Sequence, residues 1–396
     1  EYLLKQAMNC IKHRGPDGEG TYTSNNFSLG HVLLSIRGEL NDSIQPYTDD
    51  QDEWVMAFNG QIYNTNSIKE KLPLEFVSEE LDTKLLFELI KIYRWDFAKY
   101  IEGMFSIALF NKKEQKLRLY RDHSGQKPLY FSEFNKEIYF ASEIKGLFAL
   151  GVSKEIYKRA VNFFLHLGYL PGNMTIFKKI KKLMPGEVLT FDLLKKRTQI
   201  DKLSKYEGEK KMFNFIDLSD EIFKLTEFHL QSKTPISINL SGGLDSSSLA
   251  WAAKKHQSSK ISSMTTIFKD APDSFNEEAL LAQKLTHKLK IKHETLEISK
   301  NDYLDSLIYS YEVVEEPNGN IGIPIYYLSA KWHKAHNNTV VISGDGGDEV
   351  WGGYQHHLES LKFDDRKFSS LRNFFHPQNF LLRKEFFNIN NPIDRY

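Results

Sequence analysis

Residues 241–247, Ser-Gly-Gly-Leu-Asp-Ser-Ser, have the composition and spacing of a ligand loop. Adjacent Gly242 and Gly243 let the backbone come close to a ligand, because no side chain stands in the way. The apolar run that follows, 249–254, reads as a helix opening. The positive end of a helix stabilises an anion. The chain holds neither a Gly-x-x-x-x-Gly-Lys-Ser/Thr loop nor a Gly-x-Gly-x-x-Gly loop. No lysine serves this stretch. Asp245 stands there instead, and a carboxylate is welcome beside phosphates only when both share a cation, which points to Mg²⁺. The chemistry that suits such a loop is cleavage of ATP to AMP and pyrophosphate. Taken alone, the same string also describes a Gly-Gly turn with an Asp cap.

A second stretch has the same character. Residues 339–342, Thr-Val-Val-Ile, form a short β-branched run like a buried parallel strand. Ser343-Gly344-Asp345-Gly346-Gly347-Asp348-Glu349 follows, then Trp351-Gly352-Gly353-Tyr354. Ligands of open α/β sheets bind at the carboxyl ends of strands. Two glycine-rich, acidic strand ends could therefore face one nucleotide and share its metal.

The elements that must carry these loops are legible from periodicity. Residues 236–240 alternate as a strand, and 263–268, 293–298 and 340–342 read as further strands. Residues 277–289 read as a helix with Leu281, Leu285 and Leu289 on one face, and a helix over 218–229 leads into the 236 strand. Strand–helix alternation predicts a parallel sheet with helices on both faces. The first half differs. It shows strand patterns at 30–36, 54–58, 105–110, 117–120 and 138–140, with one helical stripe at 83–93. Residues 195–232 read as the join, polar and lysine-rich in part. The basic pairs Lys178-Lys179 and Lys181-Lys182 read as solvated loops, and His356-His357 as surface residues without metal-ligand spacing.

Composition sets the bounds. The chain has 396 residues, 41% hydrophobic and 26% charged, a globular balance for which two domains are the natural prior. Its 52 basic and 52 acidic residues cancel, so no overall field favours nucleic acid or a membrane surface. The single cysteine, Cys10, excludes an internal disulfide and suits a reducing, cytoplasmic compartment. It is expected to be a small buried hydrophobe. No apolar run reaches the ~20 residues of a membrane helix. Glu1 falls within a helical pattern and Tyr396 closes none, so both ends are expected to be truncated.

Taken together, residues 241–247 and 343–354 resemble the synthetase domain of glutamine-dependent asparagine synthetases. The resemblance extends in order through His13-Arg14-Gly15-Pro16-Asp17, residues 58–64 (Phe-Asn-Gly-Gln-Ile-Tyr-Asn), 121–130, 140–145 and 182–186. That family includes relatives making other amides and lactams. The fold class implied is α/β: an N-terminal α-β-β-α glutaminase-type sandwich, followed by a parallel-sheet α/β pyrophosphate-loop ATPase domain. The expected domains are 1–195, missing its extreme N-terminus, and 205–396, C-terminally incomplete.

Carried over residue by residue, the resemblance assigns ATP to Leu240, Ser241, Gly242, Gly243, Asp245, Ser246, Thr266, Ser343 and Gly344. Asp245 and Asp348 would hold Mg²⁺ and pyrophosphate, and Asp345 would orient or deprotonate the attacking ammonia. In the first half, Asn59 and Gly60 match an oxyanion hole. Gln61 stands where the family usually has Glu, and Asp82 matches the carboxylate for the glutamine α-amino group. The family's N-terminal cysteine nucleophile is not Cys10, which cannot be terminal. Either it precedes Glu1 or the protein never had it. Leu33 replaces the arginine that usually clamps the glutamine carboxylate. Arg37, four residues and about 13 Å further along, could replace it only if the strand ends and the side chain folds back. Asn320, in the loop 315–320, replaces an acid expected on the acceptor side.

The activity implied is ATP-dependent amide formation: aspartate to asparagine through an acyl-AMP, with nitrogen from glutamine or ammonia. The partners implied are those small molecules, with no nucleic acid and no membrane; a homodimer is left open. A related synthetase acting on another carboxylate with an inactive glutaminase half is the first alternative. A non-catalytic scaffold of the same fold is the second, and a nucleic-acid-modifying enzyme, which zero net charge disfavours, is the third.

Overall fold

The computed structural model describes residues 1–51, 53–76, 79–203, 215–256 and 261–354. It divides into two compact units, Glu1–Lys158 with Gly172–Phe213, and Arg159–Pro171 with Asn214–Tyr396. The first unit runs α1 (Tyr2–Cys10), β1 (Gly18–Thr23), β2 (Ser28–Leu33), α2 (Leu40–Ser43), β3 (Tyr47–Thr48), β4 (Trp54–Ile62), α3 (Thr65–Lys69) and α4 (Asp82–Tyr93). It continues through β5 (Gly103–Asn111), β6 (Lys116–Arg121), β7 (Tyr130–Phe134), β8 (Glu137–Ala141) and α5 (Ile144–Ala149). Helix α6 (Lys158–Leu167) groups with the second unit from Arg159 on. Strands β9 (Lys181–Lys182), β10 (Glu187–Asp192) and β11 (Arg197–Lys202) complete the first.

An antiparallel six-stranded sheet, β11-β10-β6-β5-β4-β3, forms the middle of the first unit. Alternation along β4 sends Trp54, Met56 and Phe58 to one face, where they pack with Leu85, Leu86, Leu89 and Ile90 of α4. Val55 and Ala57 go to the other face, against Phe27, Leu29, Leu129 and Phe131 of a second layer built by β1-β2 and β8-β7-β9. Helix α5 buries Ile144 and Leu147 outside that layer, and Met8 of α1 presses on Gly30. The α-β-β-α sandwich is the architecture expected from the sequence.

Three details differ from expectation. Strand β2 ends at Leu33 rather than at residue 36, because Ser35 donates its N–H to Asp17 Oδ2 (2.8 Å) and the chain turns away. Cys10 is exposed, not buried. The stripe of α1 that packs is Leu4, Ala7, Met8 and Ile11, and Cys10 lies off it. Lys181 and Lys182 are not loop residues but a short strand paired with β7.

The second unit runs α7 (Phe215–His229), β12 (Ile236–Asn239), α8 (Leu244–His256), β13 (Ile261–Phe268), α9 (Glu277–Leu289) and β14 (Lys292–Ile298). Among the described residues it continues with α10 (Lys300–Val314), α11 (Ile323–Ala335), β15 (Val340–Ile342) and α12 (Gly347–Trp351). Among the described residues its sheet is parallel, in the order β14-β13-β12-β15. The chain moves outward from β12 through β13 to β14, then returns to the other side of β12. The boundary between β12 and β15 is therefore the switch point, where an open α/β sheet leaves a crevice. Ile236, Ile238 and Leu240 pack on Ala250, Ala253, Ala282 and Ile291.

The face that α9 buries is not Leu281–Leu285–Leu289. Leu281 is 53% exposed, and Ala279, Ala282 and Thr286 are the buried residues, with Leu285 and Leu289 beside them. Small residues are needed because the Gly242 loop backs directly onto this helix. A Cβ at Gly242 would lie 2.2 Å from the Glu278 carbonyl oxygen. His356 and His357 lie outside the described residues.

Candidate functional site

Both glycine-rich loops emerge at the switch point. Ile236 pairs with Val340 and Ile238 with Ile342, so β12 and β15 end side by side. A Cβ at Gly344 would lie 3.0 Å from Ser246 N and 3.1 Å from Asp245 Cβ. One at Gly347 would fall 2.7 Å from the Asp245 carboxylate. The two loops are thus in contact across Asp245, and glycine is the residue that permits it.

Leu240 is buried, donates its N–H to the Met264 carbonyl (2.9 Å) and accepts from Thr265 Oγ1. Thr265, not Thr266, latches β13 to the loop; Thr266 Oγ1 points to Met264 Sδ (3.8 Å). Ser241 Oγ and Ser246 Oγ are 3.0 Å apart, and Ser241 Oγ accepts from Gly243 N (3.2 Å). Gly242 has φ +90°, a left-handed conformation that glycine adopts at least cost. Gly243 is different. Only Ser241 Oγ, at 3.3 Å, lies within 4 Å of a Cβ built there, so this backbone is less crowded than that of Gly242. Helix α8 opens at Leu244, which puts Asp245 in its first turn.

On the β15 side, Asp345 accepts from Ser343 Oγ at Oδ2 (2.8 Å) and from Tyr326 OH at Oδ1 (3.0 Å). Asp348 lies in α12, and its Oδ1 would be 1.8 Å from a Cβ at Gly353, so Gly353 makes room for it. Among the described residues no cluster of three or more His, Cys, Asp or Glu could hold a metal by itself. Asp245 and Asp348 are carboxylates, the donor type that Mg²⁺ takes when phosphate and water complete its shell. In the loop 315–320, Asn320 Oδ1 accepts from Gly322 N (2.8 Å), and Gly319 N donates to the Gly168 carbonyl (2.6 Å).

The first unit gathers its own set. Gln45 holds both backbone groups of Phe58, at 2.7 and 3.1 Å. Ile62 N donates to Asp82 Oδ2 (2.9 Å). Alternation along β4 places the Gly60 N–H on that same edge, between the two. On its opposite side β5 comes so close that a Cβ at Gly60 would lie 2.1 Å from the Met104 carbonyl oxygen. Asn59 lines a cavity of 440 Å³ whose walls include Leu29, Ala57, Ser106, Ala108, Leu129 and Phe140. Gln61, next along β4, pairs with Met104.

Asp82 starts α4 and is buried. Its oxygens accept from Ile62 N and Thr83 N, both at 2.9 Å. Burial raises its pKa, while those N–H groups and Arg37 pull the other way. Arg37 Nη1 lies 3.9 Å from Asp82 Oδ2, with only 12% of its side chain exposed. Both conditions set by the sequence are met here: the strand has ended and the side chain has folded back. Gly38 (φ +70°) makes this possible, since a Cβ there would strike Leu81 at 2.7 Å. Leu33 is buried.

Other motif residues are structural. Asp122 accepts from four backbone N–H groups, those of Phe105, Ser124, Gln126 and Lys127. Arg121 donates to the carbonyls of Gly125, Lys127 and Leu183. His13, Arg14 and Lys145 converge on Glu143. Sequence reasoning missed Thr265 and Tyr326, whose contacts arise between distant segments and leave no local pattern.

Residues 1–206 match a glutamine amidotransferase domain model, and residues 220–390 match an asparagine synthase model. Over 394 residues the chain is 31% identical to a putative glutamine-hydrolysing asparagine synthetase 2 of Methanocaldococcus jannaschii, covering 91% of this chain and 75% of that one. It is 30% identical to the glutamine-hydrolysing asparagine synthetase 1 of Bacillus subtilis, over 91% of this chain and 57% of that protein. It is 25% identical to the amidase chry2 of Gibberella zeae, over 93% and 58%. The chain thus spans three quarters of the first relative and little more than half of the other two. Among the described residues no helix is long and apolar enough to cross a membrane. With both domain models matched in order and this identity over most of its length, the chain belongs to the asparagine synthetase family.

Proposed function

We propose that this chain is an ATP-dependent carbon–nitrogen ligase that converts aspartate to asparagine. The observation that carries the reading is the contact of two glycine-rich, acidic loops across Asp245 at the sheet's switch point. An aspartate side-chain oxygen attacks the α-phosphorus of ATP, and pyrophosphate leaves. Ammonia then attacks the acyl carbon, and AMP leaves with the former carboxylate oxygen. Leu240, Ser241, Gly242, Gly243, Ser246, Ser343 and Gly344 bind the nucleotide, with Thr266 nearby on β13. Asp245 and Asp348 would hold a cation, whose charge would offset that of the pyrophosphate. Asp345 orients the ammonia and takes up its proton. The residues 220–390 that match the asparagine synthase model serve this step.

The first unit supplies the ammonia from glutamine in this reading. Asn59 and the Gly60 N–H stabilise the developing oxyanion. Asp82 takes the glutamine ammonium, Gln61 lies beside it, and Arg37 stands close enough to take the carboxylate that Leu33 cannot. A charge pair of this kind matches the zwitterion of an α-amino acid. Another carboxylate acceptor is the second reading, favoured by Asn320, whose Oδ1 accepts from Gly322 N where an acid was expected.

The test is product analysis on the full-length protein with ATP, Mg²⁺ and aspartate, with ammonium and glutamine supplied in parallel. Asparagine with both donors is expected. Asparagine with ammonium alone would overturn the glutamine part. No aspartate-dependent product with either would overturn the acceptor.

A further inference from the structure

Helix α11 touches both ligand-facing strand ends. Tyr326, Ser329 and His333 lie three and four residues apart and so share one face of it. Buried His333 approaches Asn239 Oδ1 through Nε2 at 2.7 Å, and Ser329 Oγ lies 3.5 Å from the same oxygen. Asn239 is the last residue of β12. Two turns earlier, Tyr326 OH donates to Asp345 Oδ1 (3.0 Å), just past the end of β15. The helix begins at Ile323 with Pro324 in its first turn, a pre-organised start. A Cβ at Gly322 would sit 3.5 Å from the Tyr326 ring, so the ring is backed by chain as well.

We propose that Tyr326 is a positioning residue for Asp345: its hydroxyl, carried on a helix pinned to the end of β12, fixes which lone pairs of the carboxylate face the nitrogen nucleophile. This rests on the role given to Asp345 above. Ser343 Oγ holds the other oxygen, so the carboxylate is gripped at both ends by hydroxyls from two different segments. Burial, then the charge of Asp345, pushes the Tyr326 phenol up to about 12, so it stays a donor at working pH. The side chain is 53% exposed, so its hydroxyl adds little to the core.

The experiment uses the full-length protein and Tyr326→Phe, which keeps the ring. Two rates are measured with aspartate: ATP–pyrophosphate exchange, which reports adenylation, and ammonium-dependent amide formation. A charge-assisted hydrogen bond that acts only in the second step predicts a roughly tenfold loss of amide formation. Exchange should stay within about twofold, and the melting temperature within about 2 °C. An equal fall in both rates, or no fall in amide formation, would overturn the proposal. Absence of aspartate-dependent exchange in the unmodified protein would overturn the underlying reading instead, and the proposal with it.

Discussion

The candidate sites of the two units are built on opposite principles. In the first unit the protein satisfies its own charges. Asp82 accepts from two backbone N–H groups and is buried, and the half-buried Arg37 lies against it. In the second unit the loop aspartates have no ion pair among the described residues. Asp245, Asp345 and Asp348 lie on the two glycine-rich loops, and Asp345 is held by hydroxyls rather than by cations. The first arrangement is rigid before any ligand arrives and suits a molecule bearing one charge of each sign. The second is completed by what binds it, which suits a polyanion that brings a cation along.

Four substitutions test this contrast, and the largest effect belongs to Asp245. Asp245→Asn should cut ATP-dependent pyrophosphate release by about three orders of magnitude, with melting nearly unchanged. If this site were self-satisfied like the first, stability would fall instead. Asp82→Asn should do the reverse. An amide cannot offer oxygens to both Ile62 N and Thr83 N, and Arg37 loses its carboxylate. Urea unfolding should show a loss of about 3 kcal/mol, much of it recovered in Asp82→Asn with Arg37→Met.

Next come the paired glycines. Gly242→Ala meets φ +90° and a carbonyl 2.2 Å away, and should cost about 2 kcal/mol or more of stability. Gly243→Ala meets only Ser241 Oγ, at 3.3 Å, and should weaken nucleotide binding with a much smaller melting loss. Calorimetry with ATP beside thermal melting separates the two; equal melting losses would contradict the assignment.

The smallest effect is a pH dependence. His31 is held near about 4 by burial, against an ordinary value of 6.5, although its contact with the Phe58 carbonyl pulls upward. Between those values the unfolded chain takes up a proton that the folded chain refuses. Stability therefore declines as pH falls from about 6.5 towards 4, by about 1–2 kcal/mol at pH 5. His31→Gln should flatten that decline in unfolding titrations, and an unaltered slope would exclude His31 as its source.

The same contrast explains what was legible in the sequence. The second site is written locally. Gly242, Gly243 and Asp245 lie within four residues on a strand–helix joint, and Ser343, Gly344, Asp345 and Asp348 repeat the pattern. What sequence cannot specify is that β15 returns beside β12 and brings Gly347 onto Asp245. Tyr326 carries no signal, since its partner is nineteen residues away. The first site is written in distant pieces. Arg37 reaches Asp82 only because β2 stops at Leu33 and Gly38 lets the turn press on Leu81. Apolar periodicity misled at α9 for a related reason. The close approach of the Gly242 loop selects Ala279 and Ala282, not the bulkier Leu281, for its buried face.

The most direct test of the central claim is Mg²⁺-dependent ATP–pyrophosphate exchange by the full-length protein, with and without aspartate, beside Asp245→Asn. Exchange should require aspartate and disappear in the variant. Exchange that survives in Asp245→Asn, or its absence with aspartate in the unmodified protein, would contradict that claim.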